Sequence, residues 1–588
     1  MSTKPPAPAA SSVRSRPVDP DRPSYDRVTG GADRWWYLGA VVTGAVLLVV
    51  TALRQPFSYD EITQITPYGS WDVTEVLGAT RQPPLDPLLG SVLTHVFGQG
   101  QLQQRLVPVL SGIAVLTLMS LLLRRLGLRG AGAWAVWVMA TTPLMVRYGA
   151  YTRPYALPMA EMLLLGYALH RFLDGGGRRW LTVVWVSAVL LPLTRVPEPT
   201  VFLGVTAASL AWASWRGRLR WALARPPAVA CLVGLFVVGV PMFVLLGAET
   251  SGSFFDPSPG GVVARAGRGF HEIGTAVVPL LGSSFPWWPL TLSVVVLAVA
   301  VTVSRRRLLG WPLWWPFLAA PVAFLLAYHL VNPFSFFSLP YRSRAAFFFV
   351  PAFVLVTAAL ASVVTDRSRV ALRWRAPLAV LLAAAFVTQL PATARVVSYD
   401  AAPDFGAASR VLTSRLPDDA IVLYDRPSPA GQSRQPFLGS PRYMGRRPYV
   451  VNVFELAQEA SSVPRSGPVY VLVNGQCTRP GRCTVVRRPW VRHVPGWRLL
   501  RTQERFSFYA PEQRQSGMPG VISAMHAFGE ALGPELGYVE TLTEAALLDR
   551  QGDHDRARRL VSTLGSRLSA TDRERVDQWA RNQGLRVP

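Results

Sequence analysis

Long apolar runs separated by short arginine clusters decide what this chain can fold into. A helix needs about 20 mostly apolar residues to cross the hydrocarbon core of a membrane. Inside a bilayer, a chain with such runs satisfies its backbone hydrogen bonds as α-helices. We predict eleven membrane-spanning helices, at residues 35–53, 105–123, 130–147, 153–172, 180–194, 198–215, 226–247, 286–304, 311–331, 343–364 and 376–394.

The composition agrees with an α-helical polytopic membrane protein. Half of the 588 residues are hydrophobic and 16% are charged, whereas soluble domains carry about 25% charged residues. The net charge of +25 would suit a nucleic-acid-binding protein, but the arginines are concentrated in short loops between apolar runs. That placement is typical of cytoplasmic loops, so nucleic acid is not an expected partner.

The arginine clusters also orient the chain. With the N-terminus in the cytoplasm, each cytoplasmic loop carries an arginine cluster, and the outer loops are richer in aromatic, proline and acidic residues. The bias toward Arg, Ala, Gly and Pro suggests a bacterial protein, and hence the bacterial cytoplasmic membrane. The clusters are Arg124, Arg125 and Arg129; Arg171, Arg178 and Arg179; Arg216, Arg218, Arg220 and Arg225; Arg305, Arg306 and Arg307; and Arg367, Arg369, Arg373 and Arg375.

Composition divides the chain into four regions. Residues 1–34 are rich in Pro, Ser and Arg and are predicted to be a disordered cytoplasmic tail. Residues 35–395 form the predicted transmembrane domain, with a long first outer loop at 54–104. Short β-branched runs over 396–510 predict an extracytoplasmic α/β domain, and residues 511–588 are predicted to be a helical C-terminal tail.

The three cysteines fit this topology. Cys477 and Cys483 bracket a turn-prone segment in the predicted outer domain, where an oxidising exterior favours a disulfide between them. A zinc site is less favoured, because His493 is the only histidine nearby and structural zinc takes four ligands. Cys231 lies inside an apolar run and is expected to serve in packing.

Two adjacent acids, Asp60 and Glu61, lie in the first outer loop. One interpretation is that the two are solvated loop acids without a function. Carboxylates just outside a bilayer, on a chain that then crosses it many times, indicate chemistry at the membrane surface.

The motifs around this pair resemble those of a known family. Ser58-Tyr59-Asp60-Glu61 is followed by Gln82-Pro83-Pro84-Leu85, by Gln104-Arg105-Leu106-Val107-Pro108 and by the segment Arg147 to Leu157. In order and placement, the series resembles the GT-C glycosyltransferases, with bacterial relatives of protein O-mannosyltransferases and of the lipid A aminoarabinose transferase as the nearest branch. The resemblance covers about residues 35–395.

The resemblance implies a function and a set of site residues. Enzymes of this kind transfer one sugar from a polyprenyl-phosphate carrier to an acceptor on the outer face, here a glycan, lipid or protein of the cell envelope. It places Asp60, with Glu61 beside it, at the active site, and Arg153 and Tyr155 near the catalytic cavity. Carrier phosphate would be held by the segment that contains Tyr341, Arg342 and Arg344.

These residue types suit the chemistry. An acceptor hydroxyl attacks the anomeric carbon more readily when a carboxylate takes its proton, which is worth about 10²–10⁴-fold. Asp60 is the expected base, with inversion implied by the resemblance, and Glu61 either orients the acceptor or adjusts the ionisation of Asp60. Arginine suits a phosphate leaving group because its planar fork donates two hydrogen bonds. A divalent metal at the acidic pair is compatible with the sequence, although the remaining ligands are not identifiable.

Two other functions remain open at this point. A transporter of the lipid-linked sugar would need no catalytic acid, and an envelope-assembly scaffold would use the outer domain as a binding module. Mannose, arabinose, galactose and glucose are equally compatible with the sequence as the sugar.

Overall fold

The architecture is known from a computed structural model of the 588-residue chain. The structure describes residues 31–55, 57, 61, 64–80, 82–98, 100–126, 128–217, 219–250, 316–323, 347–365, 372–398, 416–425, 449–457, 460–474, 494–503, 506–533 and 537–567. The chain is mostly helical, as predicted.

The first two-thirds of the described chain form a helical bundle with a helical outer loop. The helices of the bundle are α1 (Gly31–Arg54), α4 (Leu106–Arg125), α5 (Arg129–Ala140), α6 (Pro143–Tyr148), α7 (Ala156–Leu173), α8 (Arg178–Thr194), α9 (Pro197–Trp215), α10 (Trp221–Val233), α11 (Val240–Thr250), α12 (Val350–Thr365) and α13 (Leu372–Ser398), and the outer loop carries α2 (Val73–Thr80) and α3 (Leu85–Phe97).

Within the described residues, three helical stretches are long and apolar enough to cross a membrane: Arg34–Arg54, Gln103–Arg125 and Trp221–Leu245. The last is continuous through a π-helical segment, Gly234–Gly239. The predicted span at 286–304 and most of that at 311–331 lie outside the described residues. The number of spans therefore stays a prediction.

The predicted span at 130–147 is divided in two. α5 ends at Ala140 and α6 begins at Pro143, with Thr142 between them in an extended conformation (φ −67°, ψ 128°). Proline lacks an N–H and disfavours helical geometry in the residue before it, so the Thr142-Pro143 step ends α5. Gln389 of α13 compensates for the break, because its amide donates hydrogen bonds to the carbonyl oxygen of Val138 (3.0 Å) and to Thr141 Oγ1 (2.8 Å).

Small residues let the first helices pack closely. Gly44 of α1 faces α4 and α5, and a Cβ added to it would lie 2.4 Å from Leu116 Cδ1 and 3.1 Å from Ala140 Cβ. Carbon atoms do not approach within 3 Å without displacement. The glycine therefore sets the distance between α1 and its neighbours.

The C-terminal part of the described chain contains a five-stranded sheet in the order β2-β1-β3-β5-β4. Strands β1 to β3 are parallel, and β5 is antiparallel to both β3 and β4. The strands are β1 (Ile421–Asp425), β2 (Tyr449–Asn452), β3 (Val469–Asn474), β4 (Trp497–Gln503) and β5 (Phe506–Pro511).

Both faces of this sheet are buried, since successive side chains of a strand point to opposite faces. Ile421 and Leu423 face a core shared with three helices, while Val422 and Tyr424 face a second cluster. The helices are α15 (Gly517–Leu532), α16 (Tyr538–Arg550) and α17 (His554–Arg567), preceded in the chain by the short α14 (Val453–Leu456). The predicted boundaries at 395/396 and 510/511 stay a prediction.

The second cluster joins the sheet to the first outer loop. It contains Phe57, Ile65 and Tyr68 of the loop together with Val422 and Tyr424 of β1. The sheet therefore packs directly on the segment that carries the acidic pair, and the two lie on the same side of the bundle.

Candidate active site

The acidic segment is anchored by a buried ion pair between Glu61 and Arg105. Arg105 donates from Nε to Glu61 Oε1 at 2.9 Å and from the second guanidinium nitrogen to Oε2 at 3.0 Å. The side chain of Arg105 is 1% exposed and that of Glu61 is 2% exposed. This bidentate geometry matches the planar fork of arginine to the carboxylate, and it holds the Glu61 carboxylate in one orientation.

Arg105 has further partners around the same segment. It donates to the carbonyl oxygens of Ala52 (2.8 Å) and Gln55, at the C-terminal end of α1. Its guanidinium carbon lies 4.4 Å from the centroid of the Phe57 ring. Asp60 itself lies outside the described residues, but Phe57 and Glu61, which flank it in sequence, are both held by this one arginine.

The turn before α7 reaches the same carboxylate. The backbone N–H of Thr152 donates to Glu61 Oε1 at 3.0 Å, and its hydroxyl donates to the carbonyl oxygen of Gln104 at 3.3 Å. Arg153, the next residue, is half-buried. The structure thus brings Arg153 into the neighbourhood of Glu61.

A second buried carboxyl group, Asp86, belongs to this neighbourhood. It lies in the first turn of α3 and is 3% exposed. Burial raises the pKa of Asp86 to about 7, against the opposing effects of the Arg153 charge and of a hydrogen bond from Gln64. Asp86 also interacts electrostatically with Glu161 of α7. At neutral pH this carboxyl group is therefore partly protonated.

Gln64 connects Asp86 to the acidic segment. Its amide nitrogen donates to Asp86 Oδ2 at 3.2 Å and to the hydroxyl oxygen of Tyr68 at 3.1 Å. Burial, followed by the charge of Asp86, raises the pKa of Tyr68 well above its usual value, so the phenol stays neutral. The segment after Asp60 is thus held both at Glu61 and at Gln64.

Tyr155 has different surroundings from Arg153. It is buried in an aromatic cluster with Tyr148 and Tyr151, and the Arg195 guanidinium lies 4.7 Å from its ring centroid. Arg195 in turn donates to both carboxylate oxygens of Glu198, at 2.6 and 2.8 Å.

A small, mostly apolar pocket that is partly open lies beside this cluster. Glu198, Phe348 and Phe349 are among its lining residues. The other lining residues are Met159, Met162, Phe202, Phe317, Ala320, Pro321 and Pro351.

The remaining predicted site residues lie outside the described residues. These are Asp60, Tyr341, Arg342, Arg344 and the cysteines Cys477 and Cys483. Their assignments stay predictions, as do the roles assigned to Glu61, Arg153 and Tyr155. Cys231 is buried with a free thiol, as its place in an apolar run suggested. In the described part of the chain, no cluster of three or more His, Cys, Asp and Glu side chains is arranged to hold a metal ion.

Sequence reasoning did not single out Arg105, Asp86 and Gln64. Arg105 stands in one of the motifs that carry the family resemblance, at the start of an apolar run. Asp86 is the one acid of a mostly apolar helix and lies in its first turn. A charged residue in a largely apolar segment costs free energy. That cost could have marked both residues as candidates for the site.

Comparison with known proteins supports the family resemblance. The profile of the family described as "Dolichyl-phosphate-mannose-protein mannosyltransferase" matches residues 81–243. Over these residues the chain is similar to that mannosyltransferase family. The matched segment includes Asp86, Arg105, Arg153 and the helices that position them.

Three solved structures are similar to this chain at low identity. ArnT from Cupriavidus metallidurans in the apo state is 15% identical, with a TM-score of 0.49, over 82% of this chain and 98% of that one. The same protein bound to undecaprenyl phosphate is 14% identical, with a TM-score of 0.47, over 82% of this chain and 98% of that one. The archaeal oligosaccharyltransferase AglB from Archaeoglobus fulgidus is 12% identical, with a TM-score of 0.42, over 76% of this chain and 70% of that one. No curated protein sequence matches the chain significantly.

Proposed function

We propose that this protein is a membrane glycosyltransferase that moves one sugar from a polyprenyl-phosphate carrier to a cell-envelope acceptor on the extracytoplasmic face. The observation that carries the proposal is the buried bidentate pair of Arg105 and Glu61. It fixes Glu61, the neighbour of Asp60 in sequence, between the end of α1, the start of α4 and the turn at Thr152. A solvated loop acid needs no such anchoring.

The donor class follows from location and family. Nucleotide sugars are not expected outside the cytoplasmic membrane, and a lipid phosphate carries both the activated bond and a membrane anchor. The description of the matched family names dolichyl-phosphate-mannose as its donor. Whether mannose or another sugar is moved here depends on the polar contacts of the site.

The reaction assigns a task to each charged group. Asp60 takes the proton of the acceptor hydroxyl as its oxygen attacks the anomeric carbon, and the bond from that carbon to the carrier phosphate breaks with inversion. Arg153, Arg342 and Arg344 stabilise the negative charge that develops on the departing phosphate. Glu61 acts as a positioning residue, because both of its oxygens already accept hydrogen bonds from Arg105.

The test is Asp60→Asn in the full-length protein reconstituted in lipid, with Asp72→Asn as the matched control. Asp72 is an exposed acid of the same loop, whose carboxylate accepts hydrogen bonds from Thr74. Asp60→Asn should reduce transfer by about 10²–10⁴-fold, the usual contribution of a general base, while the control stays near wild type. Mass spectrometry of envelope glycans from cells with and without the gene identifies the sugar and acceptor. Full activity of Asp60→Asn would refute the assignment.

A further inference from the structure

We propose that Asp86, Gln64 and Arg153 form a subsite for a sugar hydroxyl group, which makes Asp86 a specificity-determining residue for the transferred sugar. This inference rests on the proposed function and deepens it. Its ligand class is a neutral polyhydroxylated ring, distinct from the phosphate and the acceptor.

The first support is an unsatisfied acceptor buried beside a carboxyl group. Gln64 is 1% exposed and its amide nitrogen has two acceptors, Asp86 and Tyr68. Its amide oxygen has no hydrogen-bond partner among the described residues. An unpaired buried acceptor costs about 1–3 kcal/mol. A hydroxyl that donates to this oxygen would remove that cost.

The second support is the mixture of donors and acceptors. A sugar hydroxyl donates one hydrogen bond and accepts others. Asp86 and the Gln64 oxygen supply acceptors, while Arg153, whose charge acts on Asp86, supplies a cationic donor. Because the pKa of Asp86 is raised to about 7, its carboxyl group at neutral pH can either accept from a hydroxyl or donate to one.

The third support is position. Asp86 stands on the outer-loop helix α3, and Gln64 lies three residues beyond Glu61 in sequence. Thr152, which donates to Glu61, directly precedes Arg153. The polar groups around Asp86 are thus linked on both sides to the anchored segment that carries the proposed base, Asp60. A sugar whose anomeric carbon lies near that base brings its ring hydroxyls within reach of neighbouring polar groups.

A purely structural role explains these groups less well. A buried ion pair with one partner missing is strongly destabilising, and apolar replacements of such pairs are often neutral or stabilising. α3 is rich in apolar residues, so an aliphatic residue in place of Asp86 would satisfy packing alone. A buried polar group that recognises a substrate hydroxyl gives strong discrimination, because an analogue without that hydroxyl leaves the group unpaired.

The experiment compares wild type, Asp86→Asn and Asp86→Ala in nanodiscs. The donors are short-chain polyprenyl phosphates carrying mannose, glucose, galactose or arabinose, together with the monodeoxy analogues of the preferred sugar. Asp174→Asn serves as the matched control, since Asp174 is an acid at the far end of α7 that is bonded to Arg125 and His170. Donor binding is measured by tryptophan fluorescence and transfer by product mass spectrometry. A melting curve for each variant shows that it is folded.

The expected result is a loss that depends on one hydroxyl. Asp86→Ala should lower kcat/KM for the preferred donor roughly 10- to 100-fold, the range expected for a lost hydrogen bond to a charged group. One monodeoxy donor should show a similar loss with wild type and little further loss with Asp86→Ala. Asp86→Asn, which keeps an acceptor oxygen, should lie in between, and the control should leave all donor ratios unchanged.

The outcomes separate the two proposals. Unchanged donor and deoxy ratios in folded Asp86 variants would overturn the subsite and leave the transferase standing. If wild type transfers no sugar, yet its binding preference among donors depends on Asp86, the transferase is overturned and the subsite stands. Absence of both transfer and binding by wild type would overturn both.

Discussion

At the scale of single residues, Arg105 makes several of the contacts that hold the acidic segment. It holds Glu61 with two hydrogen bonds, reaches two carbonyl oxygens at the end of α1 and lies against Phe57. Its side chain is almost completely buried. A desolvated cation is tolerated there because each of the three guanidinium nitrogens donates to an oxygen.

Removing one member of this pair should therefore be costly. Arg105→Leu leaves the Glu61 carboxylate buried without its cation, which typically costs about 3–5 kcal/mol. We expect a marked fall in the thermal unfolding midpoint and loss of transfer. The double variant Glu61→Leu/Arg105→Leu should recover much of the stability but no activity. Arg54→Leu, at an exposed position of α1, is the control, and an Arg105→Leu protein as stable as wild type would contradict the anchor.

Asp86 should make stability depend on pH. Its pKa is about 7 in the folded protein because burial outweighs the Arg153 charge and the Gln64 hydrogen bond, and about 3.9 in an unfolded chain. Between these values the folded state binds more protons than the unfolded state, so stability falls as pH rises through this window. Asp86→Asn cannot ionise, and it should gain stability relative to wild type as pH rises, by at most about 4 kcal/mol at about 1.4 kcal/mol per pKa unit.

The measurement is the difference in Tm between Asp86→Asn and wild type at about pH 5 and at about pH 8, on either side of the native transition. Asp72→Asn is again the matched control, because hydrogen bonds from Thr74 lower the pKa of that exposed acid. Tyr68 and Glu161 interact electrostatically with Asp86, so the Asp86→Asn curve reports on this group of charges together. A constant difference across the range would count against a neutral carboxyl at Asp86.

At the scale of elements, close helix contacts set the shape of the bundle. Gly44 brings α1 against α4 and α5, while Gly130, at the start of α5, faces open space. Gly44 lies in the middle of α1 among neighbouring helices, whereas Gly130 lies in the first turn of α5. This contrast provides a matched pair of substitutions within the same helical group.

Gly44→Leu should destabilise the bundle, whereas Gly130→Leu should be tolerated. Overpacking a well-filled interior typically costs about 1–3 kcal/mol, and here it would push α1 away from Leu116 and Ala140. Thermal unfolding in lipid measures the difference. Equal melting temperatures for the two variants would show that α1 does not pack in this way.

At the scale of the whole molecule, the acidic loop and the C-terminal sheet lie on the same side of the bundle. Val422 and Tyr424 of β1 share a cluster with Phe57 and Tyr68 of the loop. Any topology for this chain must therefore expose both regions to the same compartment. The arginine clusters predict that this compartment lies outside the cytoplasm.

Cysteine labelling in intact cells tests this orientation. In a background of Cys231→Ala, Cys477→Ser and Cys483→Ser, Val73→Cys in the exposed part of the outer loop should react with a membrane-impermeant maleimide. Arg178→Cys, exposed at the start of α8, should react only after the cells are permeabilised. The reverse pattern would place the acidic segment in the cytosol and end the transferase interpretation.

The sequence predicts the coarse architecture better than the site. The length of the apolar runs and the placement of the arginines were sufficient to predict a mostly helical membrane chain. Local motifs were sufficient to predict the family resemblance. The break at Thr142-Pro143 was missed because a proline is tolerated within a membrane helix when neighbours compensate, and Gln389 lies about 250 residues away. Asp86 and Arg105 were missed because their partners come from distant segments, which no local pattern reveals.

The contact between Arg105 and the end of α1 has a mechanical consequence. A transmembrane helix answers a change in bilayer thickness partly by tilting. As α1 tilts, the carbonyl oxygens of Ala52 and Gln55 move, and the guanidinium bonded to them transmits that displacement to Glu61. We therefore expect turnover in vesicles to vary with the acyl-chain length of the surrounding lipid.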